Sequence, residues 1–275
     1  MKALFFFLTI FLSLYAGANE GTRIIACKVE PLLLPNNRVQ VGFYKSVDPG
    51  KKSVLIIPPT GGENVLDRSY ASNLCEGGFD VYLLQHWNND DDNSIDLGIH
   101  QRAYDSVQQA IAETLSQIQS PFIGILGTSV GAIHVSSAMS LHPRLDAAFL
   151  IVGGAPIANV IATTDQEALV KARKIRFEML HYKNDAEYIA ALDKEIHTDP
   201  FKLPQGFRGK TLGMVISSDD TTVNYKYQLQ LKELWQPQTL IELSNGHFFA
   251  ILKTWLFHKM EIVHFFQNAA QVPKS

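Results

Sequence analysis

Short apolar runs recur along this chain, and most are followed by a stretch with helical spacing. Val54-Leu55-Ile56-Ile57, Phe122-Ile123-Gly124-Ile125-Leu126 and Ala147 to Val152 are nearly unbroken. A strand that faces water on one side alternates polar and apolar residues. A strand covered on both sides has no reason to, and reads as a continuous apolar run. Between these runs the period changes to that of a helix. Ile99, Ala103, Val107, Ile111, Leu115 and Ile118 recur at three- and four-residue steps, as along one face of a long helix. Alternation of this kind predicts an α/β class with a mostly parallel sheet and helices on both faces.

Eight strands follow from this reading: Ile24 to Val29, Val39 to Lys45, Ser53 to Pro58, Phe79 to Leu84, Phe122 to Leu126, Ala147 to Val152, Thr211 to Ser217 and Gln238 to Leu243. Helices are expected at Asp67 to Glu76 (closed by Gly77-Gly78), Val130 to Leu141, Asn224 to Trp235 and Phe248 to Phe266. The alternation breaks between about Ala155 and Gly209. That insert carries no strand signal. Thr164-x-x-Glu167 has the spacing of a capping box, predicting a helix to about Tyr182, and a second is expected from about Asp185 to Ile196.

The first residues differ from the rest. Met1-Lys2 supplies a positive charge, Ala3 to Tyr15 is almost wholly apolar, and Ala16-Gly17-Ala18 places small residues at a cleavage site. This is the order of a secretory signal peptide, so residues 1–18 are expected to be removed and 19–275 to form the mature, secreted or periplasmic domain. No later stretch reads as a membrane span. Of 275 residues, 46% are hydrophobic and 19% charged, which excludes an acidic disordered chain, and the net charge of −3 gives no electrostatic footprint for nucleic acid. Cys27 and Cys75 both fall in segments that read as regular core, so two buried thiols are expected rather than a disulfide.

Gly127-Thr128-Ser129-Val130-Gly131 falls where a buried strand gives way to a helix. A serine there sits on a sharp turn with its hydroxyl raised above the sheet edge. A hydroxyl needs a base to become a nucleophile. His247, in Ser244-Asn245-Gly246-His247, lies just after the last strand, where loops of a parallel sheet gather site residues. His134 and His142 fall on the helix after Ser129, and His258 and His264 on the terminal helix. His86, which also follows a strand, is a pocket-lining candidate, and His100, His181 and His197 are less well placed. The acid that orients the imidazole is Asp219 or Asp220 after the seventh strand, with Asp90, Asp91 and Asp92 as competitors from an acidic loop. That loop lacks the spacing of a calcium motif. No H-x-x-x-H pair stands at a site position, so neither a metal nor any other cofactor is implied.

The order Ser129, Asp220, His247, with the nucleophile after the fifth strand, the acid after the seventh and the histidine after the eighth, resembles the α/β-hydrolase superfamily over about Ile24 to Asn268. The resemblance implies an eight-stranded sheet with a helical cap inserted after the sixth strand, about residues 155–209. It favours Asp220 over Asp219, because Asp220-Thr221-Thr222-Val223 keeps the D-x-x-V spacing, with Asn224 where the family has Pro. It also implies an oxyanion hole from the loop Pro58-Pro59-Thr60-Gly61-Gly62, which departs from the His-Gly pair found in many members. Pro59 has no N–H, so the donors would be the amide of Thr60, or of Gly61, together with that of Val130.

The expected activity is hydrolysis of an ester-type acyl bond by a Ser-Asp-His triad through an acyl-enzyme. Acyl transfer on the same triad and a non-catalytic binding protein of the same fold are the alternatives. The substrate is expected to be a small-molecule or lipid-like acyl compound. The insert presents Ile157, Val160, Ile161, Leu169, Ile175 and Met179, which suit an apolar acyl group. Lys171, Arg173, Lys174 and Arg176 beside them fit a solvated helix face. Oligomeric state is not encoded in any of these patterns.

Overall fold

A computed structural model of the chain describes residues 27–34, 39–87 and 95–272. The expected leader and the acidic loop containing Asp90, Asp91 and Asp92 lie outside these residues. Among the described residues there are eight strands: β1 (Lys28–Leu33), β2 (Val39–Lys45), β3 (Lys52–Ile57), β4 (Asp80–Trp87), β5 (Phe122–Thr128), β6 (Ala147–Ile151), β7 (Thr211–Ser217) and β8 (Thr239–Leu243). They form one sheet in the order β1-β2-β4-β3-β5-β6-β7-β8. β1 and β2 are antiparallel to their neighbours, and the rest of the sheet is parallel.

The central strands are the continuous apolar runs. Every residue of β5 and β6 is buried, as is all of β3 after Lys52. The helices that cover one face are α2 (Gly98–Gln117), α3 (Val130–Leu141) and α7 (Tyr225–Trp235), through Val107, Ile111, Val135, Met139, Leu231 and Trp235. The other face is covered by α1 (Val65–Glu76) and α9 (Lys259–Ala269), through Tyr70, Leu74, Ile262 and Phe266. Each buried side chain of this size contributes about 1.5–3 kcal/mol of hydrophobic stabilisation.

β1 runs through Pro31 to Leu33 instead of ending at Val29. It is the sheet's edge strand, and there a residue without an N–H costs no ladder bond to a second neighbour. The expectation of two buried thiols is also overturned. Cys27 and Cys75 form a disulfide, with Cα atoms 6.2 Å apart, within bridging distance. Cys27 directly precedes the edge strand and is only half-buried, which leaves it free to meet the end of α1.

Between β6 and β7 lie three helices, α4 (Ile157–Thr163), α5 (Glu167–Leu180) and α6 (Asp185–Glu195), where two were expected. The first amide of α4 donates to the Asp199 carboxylate at 2.5 Å, a partner 42 residues downstream. A helix start capped through tertiary contact leaves no local signature. The capping box predicted at Thr164 does not form. Thr164 Oγ1 accepts from the amide of Gln166, which is itself the residue preceding α5. α4 and α6 bury Ile157, Val160, Ile161, Tyr188 and Leu192 in a separate apolar cluster that also takes in Val223 and Tyr227. Arg176 is not part of a solvated stripe. It is 1% exposed, with Nη1 2.8 Å from both His100 Nε2 and the Tyr188 hydroxyl.

The terminal helix was expected to be continuous. It is α8 (His247–Lys253), a π-helical turn (Thr254–His258) and then α9. Thr254 begins the turn, and its hydroxyl donates to the Ala250 carbonyl (2.7 Å), which also takes the Thr254 amide. Side-chain bonding to the carbonyl four residues back perturbs a helix at that point. No helix among the described residues is long and apolar enough to cross a membrane.

Candidate active site

The site lies where β5, β7 and β8 end. β5 passes into α3 through Ser129, which has φ 57° and ψ −119°. A side chain in that region costs about 1–3 kcal/mol and persists only where the surroundings enforce it. Here they do. The Ser129 amide donates to the Ile151 carbonyl of β6 at 2.8 Å, and its carbonyl accepts from the Ile133 amide at 3.2 Å. The flanking glycines are sterically required. A Cβ on Gly127 would lie 2.5 Å from the Gly131 carbonyl oxygen, and one on Gly131 would lie 2.2 Å from that of Ile57.

His247 opens α8 directly after the β8 loop. Its Nε2 is 2.8 Å from Ser129 Oγ, and its Nδ1 is 2.7 Å from Asp220 Oδ2. Asp220 sits on the turn after β7 and is 2% exposed. Its Oδ1 accepts from the amides of Thr222 and Val223, both at 2.9 Å, and its Oδ2 from Gln228 Nε2 at 2.9 Å. All of these partners are N–H donors, so the carboxylate acts purely as acceptor and Nδ1 carries the proton. Nε2 then presents its lone pair, and the Ser129 hydroxyl donates to it. This tautomer can withdraw a proton from Ser129.

Of the two aspartates left open by spacing, only Asp220 enters this chain. Asp219 is exposed and accepts from the neighbouring Ser218 hydroxyl. Of the other described histidines, His181, His197 and His264 are exposed, and four are engaged elsewhere. His134 packs on the Tyr104 ring, 4.6 Å between centroids, and burial pushes it down to about 3. His142 bonds Gln108, and His258 pairs with Glu261. Burial, then the Arg176 guanidinium, pushes His100 down to about 4. A lowered histidine is held neutral, which suits packing beside an arginine.

Val130 is the first residue of α3, immediately after Ser129. Thr60 lies in the exposed turn after β3, where the Gly62 amide donates to the Pro59 carbonyl at 3.2 Å. The contact of Gly131 with the carbonyls of Ile57 and Pro58 brings the start of that turn against the elbow. Gly61 and Gly62 both adopt positive φ, which gives the chain its sharp exit toward α1.

Sequence reasoning missed three supports. Gln228 lies on the buried face of α7 with Leu231 and Trp235, and a glutamine at an apolar-stripe position was the available signal. It ties together the Ser217 amide, the Val223 carbonyl and Asp220. Ser217 Oγ donates to the Asn245 carbonyl and accepts from the Asn245 amide, stitching the acid-bearing and histidine-bearing loops together. Asp165, from the segment between α4 and α5, accepts from the hydroxyls of Thr221 and Thr222. No group of three or more potential metal-ligating side chains occurs among the described residues.

No protein-family model matches the sequence, and no curated protein is found to be similar to it. Solved structures do match. The esterase Pf2001 of Pyrococcus furiosus superposes with a TM-score of 0.57 at 12% identity, over 91% of this chain and 96% of that one. Carboxyl esterase 2 of Tuber melanosporum gives 0.58 at 13% identity, over 96% and 98%. The acylaminoacyl peptidase of Pyrococcus horikoshii gives 0.64 at 12% identity, covering 92% of this chain but only 43% of that longer protein. At such identities the likeness is one of architecture, and one architecture hosts many reactions. The strand order, the inserted helices after β6 and these neighbours together establish that this chain has the α/β-hydrolase fold.

Proposed function

We propose that the protein is a serine hydrolase that cleaves an ester-type acyl bond with Ser129 as nucleophile, His247 as base and Asp220 as orienting acid. The observation that carries this reading is the hydrogen-bonded chain from Ser129 Oγ to His247 Nε2 (2.8 Å) and from His247 Nδ1 to Asp220 Oδ2 (2.7 Å). In the first half-reaction His247 Nε2 takes the hydroxyl proton as Oγ attacks the carbonyl carbon. The amides of Thr60 and Val130 donate to the oxyanion, each such donor being worth about a hundred- to a thousandfold. Asp220 keeps the proton on Nδ1 and stabilises the imidazolium. His247 then protonates the leaving oxygen, and water releases the acyl group by the same steps in reverse order.

The substrate in this reading is a small-molecule or lipid-like acyl compound. Export to an oxidising compartment is part of the proposal. It is supported by the Cys27–Cys75 disulfide, a bond that reducing cytosol disfavours, and by the leader-like order of residues 1–18. A fluorophosphonate probe tests the chemistry. The wild-type protein is expected to label at Ser129, and Ser129→Ala to abolish both labelling and ester turnover. Labelling that survives the substitution overturns the assignment.

A further inference from the structure

The turn that carries Asp220 is held from two sides. From within, its own residues cap the carboxylate: the amides of Thr222 and Val223 donate to Asp220 Oδ1. From outside, the helical insert holds the same turn. Asp165 Oδ2 accepts from the Thr221 hydroxyl (2.5 Å) and Asp165 Oδ1 from the Thr222 hydroxyl (2.6 Å). One carboxylate oxygen per hydroxyl fixes two consecutive residues, which a single bond would leave free to rotate. Thr222 is thus shared. Its amide serves Asp220 and its side chain serves Asp165.

Val223, the next residue, is 3% exposed and buried in the apolar cluster built mainly from α4 and α6. The acid turn therefore belongs as much to the insert as to the sheet. The local geometry of Asp165 serves the same end. Thr164 Oγ1 accepts from the Gln166 amide, fixing the connection on which Asp165 stands. The two hydroxyls hold the Asp165 carboxyl below the usual carboxylate range, and the His247 imidazole adds in the same direction. Asp165 is itself exposed, and an exposed carboxylate–hydroxyl contact contributes little to global stability. Its effect is on orientation.

We propose that Asp165 is a positioning residue that sets the 220–223 turn so that Asp220 meets His247, making the assembly of the triad depend on the seating of the helical insert. The proposal rests on the reading of Ser129, His247 and Asp220 as the catalytic groups. Misplacement of an orienting group by a fraction of an ångström to an ångström costs roughly ten- to a hundredfold in turnover.

The test uses the full chain and a small soluble aryl ester. Asp165→Ala is expected to lower kcat by about tenfold or more while KM changes by less than about threefold, with fluorophosphonate labelling slowed in proportion. The double variant Thr221→Val, Thr222→Val is expected to show the same loss, and the triple variant no more than either, because all three remove one grip. Asp165→Asn keeps one acceptor oxygen and is expected to fall between. It also provides a folded variant if the alanine does not fold. The proton shared by His247 Nδ1 and Asp220 gives a second readout by NMR. It is expected far downfield in the wild type and broadened or displaced in Asp165→Ala, with no substrate needed. Unchanged kcat in Asp165→Ala, or losses that multiply in the triple variant, overturns the proposal. An unmoved downfield proton overturns it even if Ser129 proves unreactive, so the two readings fail separately.

Discussion

Asp220 accepts from two backbone amides, a glutamine side chain and an imidazole, whereas its neighbour Asp219 accepts from one exposed serine. The two should therefore respond very differently to the same substitution. An Asn at 220 would offer an N–H to Nδ1 and leave the imidazole proton on Nε2, where it cannot accept from Ser129. Asp220→Asn is expected to reduce kcat by about four orders of magnitude, and Asp219→Asn by less than about twofold. Steady-state kinetics on one ester substrate decides this, and equal losses from the two would refute the geometry. In the sequence these residues are adjacent and chemically identical. Only the resemblance to the α/β-hydrolases separated them, through the D-x-x-V spacing of Asp220 to Val223; in the structure that spacing returns the amides of Thr222 and Val223 to the carboxylate. The elbow was legible for a similar reason, since glycines at 127 and 131 answer a close approach of backbones. Gln228 and Asp165 were not, because a polar side chain does not reveal which distant loop it will meet.

At the scale of elements, α1 shows how a cap can carry a pH dependence. The Asn64 side chain accepts from the amides of Leu66 and Asp67, and the Asp67 carboxylate accepts from the Asn64 amide. Asp67 is 1% exposed, and burial raises its pKa to about 7 against the pull of the Asn64 hydrogen bonds. A carboxyl whose folded pKa lies above its unfolded one binds more protons in the native state between the two values. Its contribution is fully present below about pH 4 and is lost as pH rises to about 7. Asp67→Asn removes that titration while keeping an acceptor for the cap. The wild type is expected to lose more thermal stability than Asp67→Asn between pH 5 and pH 8, as read by circular dichroism melts. Parallel Tm profiles would contradict the assignment. Elements with a strong internal period, such as α2 and the central strands, were visible from sequence. Those whose ends are set by tertiary partners were not. α4 takes its cap from Asp199, and the π turn is a local break in a helix whose apolar pattern runs straight through.

For the molecule as a whole, the disulfide joins the sheet's edge to a helix that covers its face. It closes a loop of 48 residues, which on a chain-entropy estimate stabilises by at most about 4 kcal/mol. A Cys27→Ser, Cys75→Ser variant is expected to unfold at clearly lower urea concentration with little change in Ser129 labelling, because the bridge is remote from the hydrogen-bonded triad. An unchanged urea midpoint would mean that the bond contributes nothing. The pairing was not legible because it depends on how far β1 extends at the edge, not on either cysteine's own neighbourhood. The π turn has a different kind of consequence. An α-helix advances about 100° per residue, so a turn that holds one residue more than usual rotates everything before it relative to everything after it. His247 stands before the turn, and Ile262, Val263, Phe265 and Phe266, which key the helix into the core, stand after it. Leu256 and Phe257, both within the turn, are exposed. At these two exposed positions, then, natural variation should be free in spelling and fixed in length: a substitution there leaves the angle between histidine and core unchanged, whereas a single-residue insertion or deletion turns the imidazole away from the serine.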